Sequence, residues 1–432
     1  MGTQENKRKL KWLRLDNAAK IYPAAKRRNW SNLFRVSATL EEPIDADILQ
    51  SALDVTVKRF PSMAVRLRQG MFWYCVEELA QAPHVMPDEY YPCTRMSFQE
   101  IKQCAFRVLY YKKRIAIEFF HALTDGNGGI IFLKTLLAEY LLQKYGVAVP
   151  ATQGVLDRNE KPRPEEFEDS FLKYEGSVSG SRSEATAYKL KGTYETDGYV
   201  NITTGILPAE EALRCAKKYN TSLTAFLTAV LIDSILKIQN GEQRKRSRQK
   251  PVKILIPVNL RKLFPSETLR NFVLYITPGV DPKMGEYTFE EIVKSIHHQM
   301  GMELTDKQLA TKITKNVRSE KAFILKIMPL FVKNMAMKLA YNMVGEKKSC
   351  MTISNLGVVS MPAEMEKYVK RMDFILGMQA ETHNNCGVIS YGGKIYINFA
   401  RNIMEPTLES LFFTKLVKMG IHVKIESNHK IS

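Results

Sequence analysis

Residues 114–142 read RIAIEFFHALTDGNGGIIFLKTLLAEYLL, and within them His121 is followed by Asp125 and Gly126 in the hexapeptide HALTDG. An imidazole titrates near neutral pH and can take a proton from a hydroxyl or an amine. His121 also has a plainer reading, a satisfied histidine at a strand end. Asp125 suits a helix cap or a turn. The flanking residues decide where the pair sits. Arg114 to Phe120 alternates and is rich in Ile and Phe, which predicts a buried strand. Asp125 to Gly129, DGNGG, predicts a turn. From Ile130 to Leu142 apolar residues fall at 130, 131, 133, 136, 137, 140 and 141, the spacing of a helix. His121 therefore stands where a strand ends and the chain turns, with its backbone fixed and one side open.

Three more segments join this one in order along the chain: Pro257-Val258-Asn259-Leu260-Arg261, Asn271-Phe272 and Ser354-Asn355-Leu356-Gly357. Read alone, the first is a strand end and a turn, and Ser354-Asn355 is a turn capping a strand. HALTDG resembles the HxxxDG core of the acyltransferases that include chloramphenicol acetyltransferase, peptide-synthetase condensation domains, plant BAHD enzymes and bacterial alcohol acyltransferases. The fuller motif has two histidines, and Phe120 replaces the first. PVNLR resembles the P-V-N-x-R segment of condensation and alcohol acyltransferase enzymes. Asn271-Phe272 resembles the (G)NF that follows it, with Arg270 in place of the glycine. SNLG resembles the SN-x-G segment of bacterial alcohol acyltransferases. The plant DFGWG motif is absent, which sets the chain apart from BAHD enzymes proper.

The resemblance implies an α/β fold with mixed sheets: two chloramphenicol acetyltransferase-like lobes and an active-site tunnel between them. Residues 1–150 would form the first lobe, 151–190 the crossing and 191–432 the second. It implies acyl transfer from acyl-CoA to a hydroxyl or an amine, with no bound cofactor. His121 would be the base, Asp125 a structural anchor and Gly126 the motif glycine. Asp125 would lock the loop by pairing with Arg261. The thioester carbonyl becomes an oxyanion that needs donors. The Ser354 hydroxyl, the Asn355 amide or nearby backbone N–H groups would supply them. A donor loaded on an acidic carrier protein is one alternative, and a non-catalytic binding protein on the same fold is another.

Lys and Arg number 63 against 45 Asp and Glu, giving a net charge of +18. Such an excess favours anionic partners without choosing among them. Lys245, Arg246, Arg248 and Lys250 cluster in one stretch, and they are the expected contacts of the donor's phosphates or else a solvated loop. Nucleic-acid binding by that stretch is the weaker reading. The six cysteines are scattered and form no CxxC, which predicts neither a zinc site nor a disulfide framework and suits the cytoplasm. No metal is expected, since the adjacent pair His297-His298 lacks a spaced acidic partner. P-loop, Rossmann and GxSxG patterns are missing. The first 20 residues hold charges with no apolar run after them, unlike a secretory signal.

Elsewhere the pattern predicts a strand over Leu33–Leu40, a helix over 46–60 capped by Asp45, and a loop-rich crossing over Val149–Thr186. A long buried helix is expected over 222–238 and a single helix over 288–307. Strands are expected over 253–258, 350–356, 374–379, 386–391 and 394–399. The apolar stretch Lys321–Val344 is interrupted by lysines, so it is not a membrane span. It reads as a broken helix pair over the core, or as a basic face making peripheral membrane contact.

Overall fold

The computed structural model describes residues 11–24, 31–88, 91–178, 185–321, 328–340, 346–379 and 381–428. The readings of the first ten residues, of part of the GSVSGSRSE run and of parts of Lys321–Val344 lie outside the described residues. The strands are β1 (Trp12–Arg14), β2 (Leu33–Leu40), β3 (Val65–Gln69), β4 (Tyr74–Glu78), β5 (Met86–Pro87), β6 (Phe106–Tyr111), β7 (Arg114–Phe120), β8 (Asn201–Pro208), β9 (Val252–Asn259), β10 (Val273–Ile276), β11 (Gly279–Val280), β12 (Met351–Val358), β13 (Val369–Leu376), β14 (Asn384–Tyr391), β15 (Lys394–Arg401) and β16 (Lys424–Ser427).

They form three sheets. Order β13-β2-β7-β6-β5 makes the first lobe, and order β10-β9-β12-β14-β15-β8-β16, with β11 also on β9, makes the second. Strands β1, β4 and β3 form a small separate sheet. Both large sheets are mixed: in the first β5 runs parallel to β6 while β6 is antiparallel to β7, and in the second β12 runs parallel to β9 and β14 while β14 is antiparallel to β15. The first lobe is not built from its own residues alone. β13, from the C-terminal part of the chain, pairs antiparallel with β2 from Val369↔Leu40 to Leu376↔Phe34. The lobes are thus tied by a shared sheet as well as by the crossing.

The crossing itself is packed. Arg59 is fully buried and donates to both carboxylate oxygens of Glu166, at 2.7 and 2.8 Å. Phe171 joins Phe272, Leu260, Leu309, Ile313 and Val317 in a third apolar cluster, separate from the two main cores. The loop-rich reading fits its sparse regular structure, while its packing comes from these few buried anchors.

Two element boundaries differ from the sequence reading. The single helix over 288–307 is two, Phe289–Glu303 and Asp306–Lys321. Thr288 and Glu291 form a capping box at the first start, and Thr305 Oγ1 accepts from the Gln308 N–H at the second. DGNGG is not a separate turn. The helix begins at Gly126, with Asp125 as its cap, and runs to Tyr145. Glycine serves close approach here: a Cβ on Gly128 would lie 2.4 Å from the Leu269 carbonyl oxygen and 2.2 Å from Thr124 Oγ1. The long helix Leu223–Glu242 is apolar enough to span a membrane by length and composition, yet most of its side chains are buried in the second core.

Candidate active site

β7 ends at Phe120, and the next residue, His121, reaches Asn271 of the second lobe. The His121 N–H donates to the Asn32 carbonyl at 2.9 Å, which fixes the backbone beside β2. Its ring stacks on Tyr22, with centroids 4.7 Å apart, and meets the edge of Phe34 at 5.3 Å. Burial lowers the His121 pKa, and the ring's contact with its own carbonyl, Asp125, Asn271 and Asp16 oppose that shift. The imidazole is therefore biased toward the neutral form that can accept a proton.

Asp125 closes the same loop. One carboxylate oxygen accepts from the Asn127 and Gly128 N–H groups at 3.1 and 3.2 Å, capping the helix. The other accepts from Arg261 Nη1 at 2.7 Å and from the Phe272 N–H at 2.9 Å. Arg261 in turn donates to the carbonyls of Thr268, at 3.1 and 2.9 Å, and of Arg270, at 2.6 Å. Thr124 Oγ1 adds a bond of 2.6 Å to the Leu269 carbonyl. Loop 121–125 of the first lobe is thereby clamped to segment 259–272 of the second. That clamp brings in a residue the sequence reading used only as a marker: His121 Nδ1 lies 3.2 Å from Asn271 Oδ1.

Gly126 faces β12, where a Cβ would meet Leu356 Cδ2 at 2.5 Å. This puts the SNLG segment beside the histidine loop. Asn355 is engaged on both ends: its Nδ2 donates to Thr224 Oγ1 at 3.0 Å and its Oδ1 accepts from the Gly357 N–H at 2.8 Å. Neighbouring strand residues face opposite sides, so Ser354 points away from the helix that holds Asn355. Ser354-Asn355 lie within β12 rather than in a turn that ends it.

The structure does not bring Lys245, Arg246, Arg248 and Lys250 to this site. They precede Val252, the start of β9, whereas Asn259 ends the strand and Arg261 follows it. Eight residues of strand span about 26 Å. The four side chains are exposed, and Arg246 pairs with Glu286 at 2.8 Å. Among the described residues no group of three or more His, Cys, Asp or Glu could hold a metal ion. His297 Nδ1 lies 3.1 Å from Thr221 Oγ1.

Residues 187–390, just under half of the chain, match the alcohol acetyltransferase family. No curated protein matches the chain. Among solved structures, the polyketide synthase associated protein 5 of Mycobacterium tuberculosis is 16% identical, covering 94% of this chain and 97% of that one, with a TM-score of 0.58. TRI101 of F. graminearum, solved with coenzyme A and T-2 mycotoxin, is 10% identical, covering 96% and 99%, with a TM-score of 0.61. The first condensation domain of the CDA synthetase is 13% identical, covering 95% and 96%, with a TM-score of 0.60. At such identities these likenesses concern the fold. The chain thus shares the two-lobed fold of these structures, and its residues 187–390 are similar to the alcohol acetyltransferase family.

Proposed function

We propose that the protein moves an acyl group from acyl-CoA to a hydroxyl acceptor, with His121 as general base. The observation that best supports this is the neutral-biased imidazole held by Asn271 at Nδ1, which leaves Nε2 for the acceptor. Nε2 takes the acceptor proton as the acceptor oxygen attacks the thioester carbonyl. The oxyanion that forms is met by the Ser354 hydroxyl or a backbone N–H, since Asn355 is already committed to Thr224 and Gly357. Collapse breaks the carbon–sulfur bond, and the leaving thiolate takes the proton back from the imidazolium. An amine acceptor would follow the same path.

Asp125 and Arg261 act through position, by holding the loops of both lobes. The coenzyme A bound in the TRI101 structure supports the donor, and the condensation-domain likeness supports a carrier-loaded donor as the second reading. The test is thiol release from a panel of acyl-CoAs and from a loaded carrier protein, with alcohols and amines as acceptors. Acceptor-dependent release from acyl-CoA supports the first reading, and release only from the carrier supports the second. No release from either donor would leave a binding protein.

A further inference from the structure

Behind Asn271 lies a fully buried carboxylate, Asp16, which the acyl-transfer chemistry does not touch. Asn271 Nδ2 donates to Asp16 Oδ2 at 3.4 Å, and the Ala19 N–H donates to Asp16 Oδ1 at 2.7 Å. Arg270 Nε lies 3.7 Å from Asp16 Oδ2. Arg270 also donates to the Phe167 carbonyl at 3.1 Å and to the Arg14 carbonyl, so its guanidinium is fixed in place. Burial pushes the Asp16 carboxyl pKa up, and Arg270, the Ala19 N–H and the Asn271 side chain and N–H work against that shift.

A carboxylate only accepts hydrogen bonds, whereas a primary amide has a donating end and an accepting end. Ionised, Asp16 therefore holds Asn271 with its NH2 turned inward, as the 3.4 Å contact has it. The amide oxygen is then the end that faces His121, and an oxygen there demands a proton on Nδ1. We infer that Asp16 and Asn271 are positioning residues that set the His121 tautomer as Nδ1–H, leaving Nε2 unprotonated at the acceptor side. The inference rests on His121 being the base, and it assigns a purpose to Arg270, which stands where the family pattern has glycine: 3.7 Å from Asp16, it favours the ionised carboxylate against the burial that raises the carboxyl pKa.

The imidazole also contacts its own carbonyl, which is the competing way to fix the tautomer. The charged groups facing the ring are Asp125 and Asp16, and Tyr22 covers one of its faces. In Asp16→Asn the residue at 16 can donate, so the Asn271 amide is free to flip. In Asn271→Ala the bridge is gone. The exchanged pair, D16N with N271D, rebuilds it: the new amide donates to the new carboxylate, which accepts from Nδ1–H and raises the imidazole pKa.

Nitrogen-15 NMR of the full chain, with the His121 signal assigned by its loss in His121→Gln, reads the tautomer without turnover. Expected are Nδ1–H in the wild type, a mixed or Nε2–H state in both single variants, and Nδ1–H again in the exchanged pair. Alongside, kcat should fall about tenfold in each single variant, part of the roughly 10²–10⁴ a base supplies, with the acceptor KM little changed. In the exchanged pair kcat should recover, and the acidic limb of its pH profile should move to higher pH. Nδ1–H persisting in both single variants would show that the own-carbonyl contact suffices and would overturn the inference. So would Nε2–H in the wild type. Wild-type activity in His121→Gln would instead remove the base assignment, while the NMR result would still stand or fall by itself.

Discussion

The contact between Asp125 and Arg261 makes a quantitative prediction. The pair is buried, with side-chain exposures of 2% for Asp125 and 10% for Arg261. Asp125→Ala removes four accepted hydrogen bonds at once, those from Arg261, Phe272, Asn127 and Gly128. Breaking one side of a buried pair costs about 3–5 kcal/mol, and losing a helix cap adds about 1 kcal/mol. Arg261→Ala leaves the carboxylate three backbone donors, so its loss should lie near the lower end of the range, about 3 kcal/mol. The double variant loses little more than Asp125→Ala alone, because its second deletion leaves no stranded charge. The coupling should be about 2 kcal/mol, well above the ~0.5 kcal/mol scatter of independent sites. Urea denaturation of the four proteins measures it, and kcat should fall in the same non-additive way. Losses in the double variant equal to the sum of the singles would refute the clamp between the lobes.

His121→Ala should cut kcat by about 10²–10⁴-fold and leave the urea midpoint near that of the wild type, as circular dichroism will check. The wild-type acid limb of kcat/KM should lie below the ordinary histidine value of about 6.5, because activity needs the neutral imidazole and burial lowers its pKa; a limb above that value would contradict the assignment. Gly128→Ala should be strongly destabilising, since its Cβ would press on the Leu269 backbone carbonyl, whereas Gly126→Ala should be milder because its obstacle is the flexible end of Leu356; thermal melts compare them directly. Neutralising Lys245, Arg246, Arg248 and Lys250 together should leave kcat unchanged and move the donor KM less than about twofold, given their distance along β9; a large rise in KM that disappears at high salt would return the loop to the donor site.

Local pattern made the strand–loop–helix around His121 legible, because alternation before the histidine and helical spacing after it lie in neighbouring residues. Family likeness supplied the partners that spacing cannot: Arg261 stands 136 residues from Asp125 and bonds it. In the sequence Asn271 is only part of a motif, and its contact with His121 depends on the chain folding back across 150 residues. Nothing near Asp16 signals its burial beside that amide. The start of the helix at Gly126 is hidden in the sequence because glycine usually breaks structure, whereas here the absent side chains let Leu269, Thr124 and Leu356 approach. β13 reads as a strand from its own residues, but no local feature says that it pairs with β2 in the other lobe.

The central claim is that a neutral His121 takes the acceptor's proton during acyl transfer. The most direct measurement is the rate of thiol release from acyl-CoA, with a saturating alcohol, for wild type and His121→Ala from about pH 5 to pH 8. The wild-type rate should depend on the acceptor and fall on the acid side with one ionisation. The His121→Ala rate should be orders of magnitude lower, without that ionisation. A His121→Ala profile matching the wild type in height and shape would contradict the claim.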